Sequence, residues 1–154
     1  MATEEQKKAN QLRLAGVVLR GTAVGIWDMV GESASTLSPG IGEKILQVME
    51  KEMGLEIGGE KPEEVLTEMA RLFVDEFGFC GSISVVPSDR KVTMTVRQCL
   101  MANLTGKLIE DGVDPFICPY RNAGIAALKR LGAKPRTRVH FDGKDSVITF
   151  ELGG

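Results

Sequence analysis

The chain has 154 residues, 43% hydrophobic and 26% charged, with a formal net charge of -2. That length suits one domain burying roughly two-thirds of its unfolded surface. A near-neutral chain with one Trp, one Tyr and six Phe offers neither the basic face nor the aromatic platforms that nucleic-acid binding uses.

The opening MATEEQKKANQLR mixes acids and bases without a small-residue cleavage site, which argues against a secretory signal. Residues 4–32 contain no Pro and are rich in helix formers, so one long helix is expected there. From Leu14 to Val30 its apolar residues go nearly all the way round. Arg20 and Asp28 interrupt the run, which falls short of the roughly 20 apolar residues that cross a bilayer. A helix apolar on most sides needs cover on most sides, supplied either by a partner subunit or by the rest of a monomer. Gly16, Gly21 and Gly25 each weaken it by about 1 kcal/mol relative to Ala, a cost that close backbone approach would offset.

STLSPG, Ser35 to Gly40, breaks the chain, and Pro39 suits the first turn of the next helix. Ile41, Ile45, Val48 and Met49 recur at helical spacing until Gly54. Pro62, Glu63 and Glu64 open a third helix with acids in its first turn. Its stripe is Val65, Leu66, Met69, Leu72, Phe73 and Phe77, closed by Gly78.

The period then changes. Ser82 to Val85 and Val92 to Val96 alternate about a Pro87-Ser88-Asp89-Arg90 turn, and Thr137 to Phe141 and Val147 to Leu152 alternate about Asp142-Gly143. With a turn at Asp89-Arg90, Ile83 faces Val96, Val85 faces Met94, and Cys80 would lie opposite Cys99 unless Gly81 ends the pairing first. Between the hairpins lie an apolar segment, Leu100 to Ile109, and a helix opened by Cys118-Pro119. The expected fold class is α+β: a four-stranded antiparallel sheet of two hairpins, covered on one face by helices, with a long N-terminal helix.

Chemical motifs are few. Gly40-Ile41-Gly42 lacks a preceding strand and a third glycine, so it is no dinucleotide fingerprint. Gly106-Lys107 is followed by Leu and is not a phosphate loop. The single histidine, His140, falls on the solvated face with Arg136 and Arg138. Cys80, Cys99 and Cys118 are far apart, with no CxxC pair, so no metal site is expected. An odd cysteine count without a secretion signal points to free thiols and a cytoplasmic location. Cys118, at a helix start, is read as core or as a pocket wall, with a reactive thiolate as the rival. Lys129, Arg130, Lys134, Arg136 and Arg138 form a basic cluster. It is either a solvated helix end and strand face or a surface for an anionic ligand or partner.

With these elements placed, the stretch from roughly Leu37 to Leu152 resembles the 4-vinyl reductase domain family, often described as hydrocarbon-binding. The resemblance rests on Ile117-Cys118, a helix containing Gly124, Val139 to Phe141, Gly143, and Ile148 to Leu152. It implies a fold shared with vesicle-tethering (TRAPP-like) subunits and nitric-oxide-sensing haem domains, commonly homodimeric. It also implies small apolar or aromatic ligands, or a part in tetrapyrrole chemistry. Cysteines on the last two strands, which bind metal in some members, are replaced here by Val139, His140 and Ile148.

The functional expectation is a single domain over residues 1–154. Residues 1–32 would be a dimer contact and 37–152 the family-like core. It would bind a hydrocarbon or tetrapyrrole-like ligand as a sensor or carrier and would more readily be a binder than an enzyme. Trp27, Phe73, Phe77, Met94, Phe116, Cys118 and Tyr120 are the lining candidates, although large apolar side chains are ordinarily core. The alternatives are a non-enzymatic scaffold subunit and, on the family's name alone, a vinyl reductase accessory. No cofactor motif selects among them.

Overall fold

A computed structural model describes residues 1–153. Helix α1, Glu4–Val30, opens with a capping box in which the Thr3 side chain and Gln6 satisfy each other's backbone amides. Gly31, at φ 57°, ends it. A 3₁₀ segment, Gly31–Leu37, runs directly into α2, Ser38–Gln47. A π-helical turn, Val48–Glu52, prolongs α2. Helix α3, Pro62–Arg71, is prolonged in the same way by Leu72–Glu76. Strands β1, Ser82–Ser88, and β2, Lys91–Arg97, then α4, Ala102–Glu110, and α5, Pro119–Arg130, precede β3, Pro135–Phe141, and β4, Ser146–Leu152.

The expected fold class is the observed one. All four strands form one antiparallel sheet in the order β1-β2-β4-β3. The two-residue turn at Asp89-Arg90 sets Ile83 against Val96 and Val85 against Met94, as the alternation requires. Val92, Met94, Val96, Ile148 and Phe150 are buried under the helices. Arg136, Arg138 and His140 point to solvent.

Helix α5 is the hub. Every residue from Tyr120 to Leu128 is buried, because α5 is enclosed by the sheet, by α2 and by α3, which itself also packs on β1. Two glycines permit this. A β-carbon at Gly124 would strike the Phe150 ring, and one at Gly42 would overlap the Asn122 carbonyl. Ser38 Oγ and Asn122 Nδ2 both donate to the Phe116 carbonyl, at 3.2 and 2.8 Å. These bonds lock the start of α2 onto the loop before α5.

A second, smaller cluster joins α1, the 3₁₀ segment and α4: Ala23, Ala34, Leu104, Leu108, Val113 and Phe116, flanked by Trp27. The Arg20 guanidinium forks onto the Asp111 carboxylate, Nε–Oδ2 2.8 Å and Nη2–Oδ1 2.9 Å. Of the two covers considered for α1, the rest of the same chain does not supply it, since Ala23 alone is fully buried along the described helix. Its 27 residues span about 40 Å, and the first dozen of them are exposed. By length and composition, the continuous helical run Glu4–Glu52 contains one window apolar enough to cross a membrane, of which 6% is buried.

Candidate functional site

A wide, open groove of about 920 Å³ runs along the helical layer. One wall is α2, presenting Ile41 and Ile45 with Lys44 between them. The other is the end of α3, presenting Phe73 and Phe77. Phe79 and Pro119 also line it, as does Ile26 of α1. The two π-helical turns shape the opening. Each adds a residue to its helical turn, and together they bring Val48 and Met49 on one side toward Phe73 on the other. Phe73 and Phe77 pack at 6.1 Å between ring centroids. Apart from Thr36 and Lys44, no side chain lining the groove carries a polar group.

Of the seven residues singled out in the sequence, Phe73 and Phe77 lie in this groove. Trp27 is half-buried and stacks on Phe116 at 6.3 Å in the smaller cluster. Met94 and Phe116 are fully enclosed. Cys118 borders a separate void of about 10 Å³, which it shares with Cys99 and Tyr120. The α2 wall carried a signal at Ile41, Ile45 and Val48, whose helical spacing marks one face. Nothing in the spacing said that this face would remain open.

The three thiols, far apart in sequence, gather around Tyr120. Its hydroxyl donates to the Phe79 carbonyl at 3.2 Å and lies 3.3 Å from the Cys99 sulfur. The Met101 amide donates to that same sulfur at 3.3 Å. The Cys80 thiol faces the same hydroxyl and is pushed up, first by burial. The ladder of β1 and β2 ends at Ser82 and Arg97. Phe79 and Leu100 remain hydrogen-bonded beyond it, which sets Cys80 and Cys99 side by side as free thiols. Burial pushes the Cys118 thiol up to about 11, outweighing the amides of Arg121 and Tyr120 that favour its thiolate. Burial and the neighbouring Cys99 also hold the Tyr120 phenol protonated. Among the described residues no carboxylate or imidazole is hydrogen-bonded to these groups, and burial keeps the Cys80 and Cys118 thiols protonated.

An antiparallel sheet roofed by helices, with an apolar groove between two of those helices, defines the class: an open-sheet α+β domain. Residues 15–150 match the model of the family described as "Putative rubredoxin C-terminal domain", and the chain belongs to that family. The curated "Uncharacterized protein MJ0758" of Methanocaldococcus jannaschii is 24% identical over 95 residues, 62% of this chain and 57% of that protein. The chain thus spans a little over half the length of this relative.

The match corrects the resemblance to 4-vinyl reductase domains, because a different family covers the stretch on which that resemblance rested. An apolar residue and a cysteine before a glycine-containing helix, followed by two alternating strands about a glycine turn, describe an architecture, which unrelated sequences share. The family's description also raises the question of iron. A tetrahedral thiolate iron site takes four Cys ligands, commonly in close pairs. This chain has three cysteines and no CxxC, and among the described residues no group of three or more His, Cys, Asp or Glu is placed to hold a metal ion. These residues do not fit such a centre.

Proposed function

We propose that the chain is a non-catalytic binding module whose groove takes a small apolar molecule, an amphiphile with an acidic head. The observation that carries this reading is the lining. Roughly a dozen side chains from α1, α2, α3 and the start of α5 meet there, nearly all hydrocarbon or aromatic, while the one cation, Lys44, is exposed at the rim. Phe77 and Leu37 are 37% and 44% exposed. Covering such surface gains about 25 cal/mol per Å². The family's description places related domains C-terminal to a rubredoxin, so a binding partner to an electron carrier is a consistent setting for the module.

Native mass spectrometry of freshly purified protein reports any retained molecule, and calorimetric titration with oleate tests the class. Oleate is expected to bind at micromolar levels, to lose most of that affinity in Ile41→Glu, and to lose a few-fold in Lys44→Met at low salt. No oleate binding, or binding that survives Ile41→Glu, overturns the reading.

A second reading, assembly, is favoured by α1. Leu14, Val17, Val18 and Met29 are 63, 59, 59 and 85% exposed. With Gly21 and Gly25, beside which nothing lies within 4 Å, they make a stripe on the side of the helix away from Arg20 and Ala23. A stripe of that length, with its flanks, offers several hundred Å², near the roughly 800 Å² per partner that a stable interface buries. The occupant it suits is α1 of a second copy, whose glycines would admit close backbone approach. A bilayer suits it less, because Arg20 is held on Asp111 of α4. Light scattering is expected to give a dimer that Val18→Glu converts to a monomer. A wild-type monomer, or capture by neutral lipid vesicles in its place, overturns self-assembly.

A further inference from the structure

The basic cluster read in the sequence separates, once folded, into cations that are used and cations that are not. Arg130 is consumed by Glu43 and Glu50, at 2.8 and 2.7 Å. Arg138 reaches Glu151 at 3.6 Å. Among the described residues, Lys129, Lys134 and Arg136 have no carboxylate within ion-pair distance, although Arg136 stands across the ladder from Glu151. These three line a cavity of about 520 Å³ between α5, the edge strand β3 and the start of α2.

Arg121 also lines this cavity and is only 9% exposed. Its Nε donates to Thr137 Oγ1 at 2.9 Å and its Nη1 to Asp114 Oδ2 at 2.7 Å. Two bonds fix the plane of the guanidinium, and Nη2 donates to no acceptor among the described residues. Ser35 and Thr137 add hydroxyl donors, the Ser38 hydroxyl being spent on the Phe116 carbonyl, and among the described residues no Asp or Glu lines the cavity. Asp114 offsets Arg121, so the cavity keeps the charge of the other three cations. A held guanidinium and three cations beyond ion-pair distance of any described carboxylate, set around hydroxyls, are the donor set of an oxyanion site.

We propose that the cavity between α5, β3 and the start of α2 is a binding site for a phosphoryl group, with Arg121 as its fixed donor and Lys129, Lys134 and Arg136 closing over the oxygens. The volume exceeds that of phosphate alone and leaves room for a pendant group. The site lies apart from the apolar groove and shares no lining residue with it.

The test titrates the full chain with inorganic phosphate and with pyrophosphate at constant ionic strength, by calorimetry and by amide chemical shifts. Both anions are expected to bind, pyrophosphate more tightly, with shifts centred on Thr137 and Ser35. Lys134→Gln with Arg136→Gln, both at exposed positions, should cost about tenfold or more, near 1.4 kcal/mol per decade. Lys7→Gln, far along α1, should cost nothing. Flotation with phosphatidic-acid vesicles, with and without pyrophosphate, separates the sources. Capture displaced by pyrophosphate identifies a lipid-borne phosphoryl group, and no capture beside soluble binding identifies a free one. Absence of binding to either anion, or equal losses in the Lys7 control and the double variant, overturns the proposal.

Discussion

Cys118 begins α5 where the helix dipole and two amides favour a thiolate, yet desolvation dominates and lifts the thiol to about 11. At pH 7.5 its thiolate fraction is therefore roughly two to three orders of magnitude below that of a free cysteine. Alkylation of the native protein by iodoacetamide, followed by peptide mass spectrometry, should leave Cys118 almost unmodified at neutral pH and modify it progressively toward pH 11. Labelling at the rate of a free thiol would show that the side chain is not desolvated. The sign for stability follows. A raised thiol pKa favours the fold while the group is protonated, a contribution fully present below the unfolded value and lost as pH climbs through the folded one. Glycines give a paired test at the same scale. At Gly42 a methyl meets the Asn122 backbone, which cannot move without displacing α5. At Gly16 nothing lies within 4 Å. Chemical denaturation should show Gly42→Ala destabilised by about 1–3 kcal/mol, the overpacking range. Gly16→Ala should be unchanged or stabilised by up to about 1 kcal/mol, the helix-propensity difference.

Among the elements, α2 and α5 are tied at their far ends by Arg130, which bridges Glu43 and Glu50. The guanidinium holds the Glu43 carboxyl below its ordinary 4.5. A depressed carboxylate stabilises above its unfolded pKa and loses that contribution as pH falls through the folded value. Because the pair is substantially exposed, the effect is modest. Thermal melts of wild type and Arg130→Met should differ most above pH 5 and converge toward pH 3. Curves that stay parallel over that range would show the bridge contributes nothing. The hairpins at this scale were open to reading from the chain. A period of two fixes which side chains share a face, and the Asp89-Arg90 turn fixes the register residue by residue. Asp142 accepts the amides of Lys144 and Asp145, which is the turn chemistry its position announced. The π-helical turns after α2 and α3 were not legible, because one added residue in a helical turn leaves no compositional mark. The groove they shape lies between two helices, and of the residues singled out in the sequence only Phe73 and Phe77 line it. The basic cluster was visible as charge, but the sorting of Arg130 from Lys134 depends on Glu43 and Glu50, some 80 residues distant. The family was misread because what the chain displays most clearly, a helix-roofed sheet, is common to several families.

Taken whole, the molecule has a dense hub and a limb. The sheet, α2, α3 and α5 share one core. The limb, α1, is attached over its second half, where Ala23 is buried, Trp27 stacks on Phe116 and Arg20 grips Asp111. Residues 4–15 are exposed throughout. An unsupported helix of a dozen residues is marginal in water even with a good cap, so opening free energy should rise stepwise along α1. Hydrogen exchange at low concentration is expected to be fast for amides 7–15, slower by orders of magnitude for 20–27, and slowest in α5 and β4. Asp111→Asn removes the charged grip on Arg20 and should raise exchange over 16–24 while leaving α5 unchanged. Exchange also separates the limb's own stability from assembly. If a second copy covers the Leu14–Met29 stripe, raising the protein concentration should slow exchange along that stretch and not in β4. A protection profile flat along α1 at every concentration would mean that the helix is held by something other than Arg20, Ala23 and Trp27.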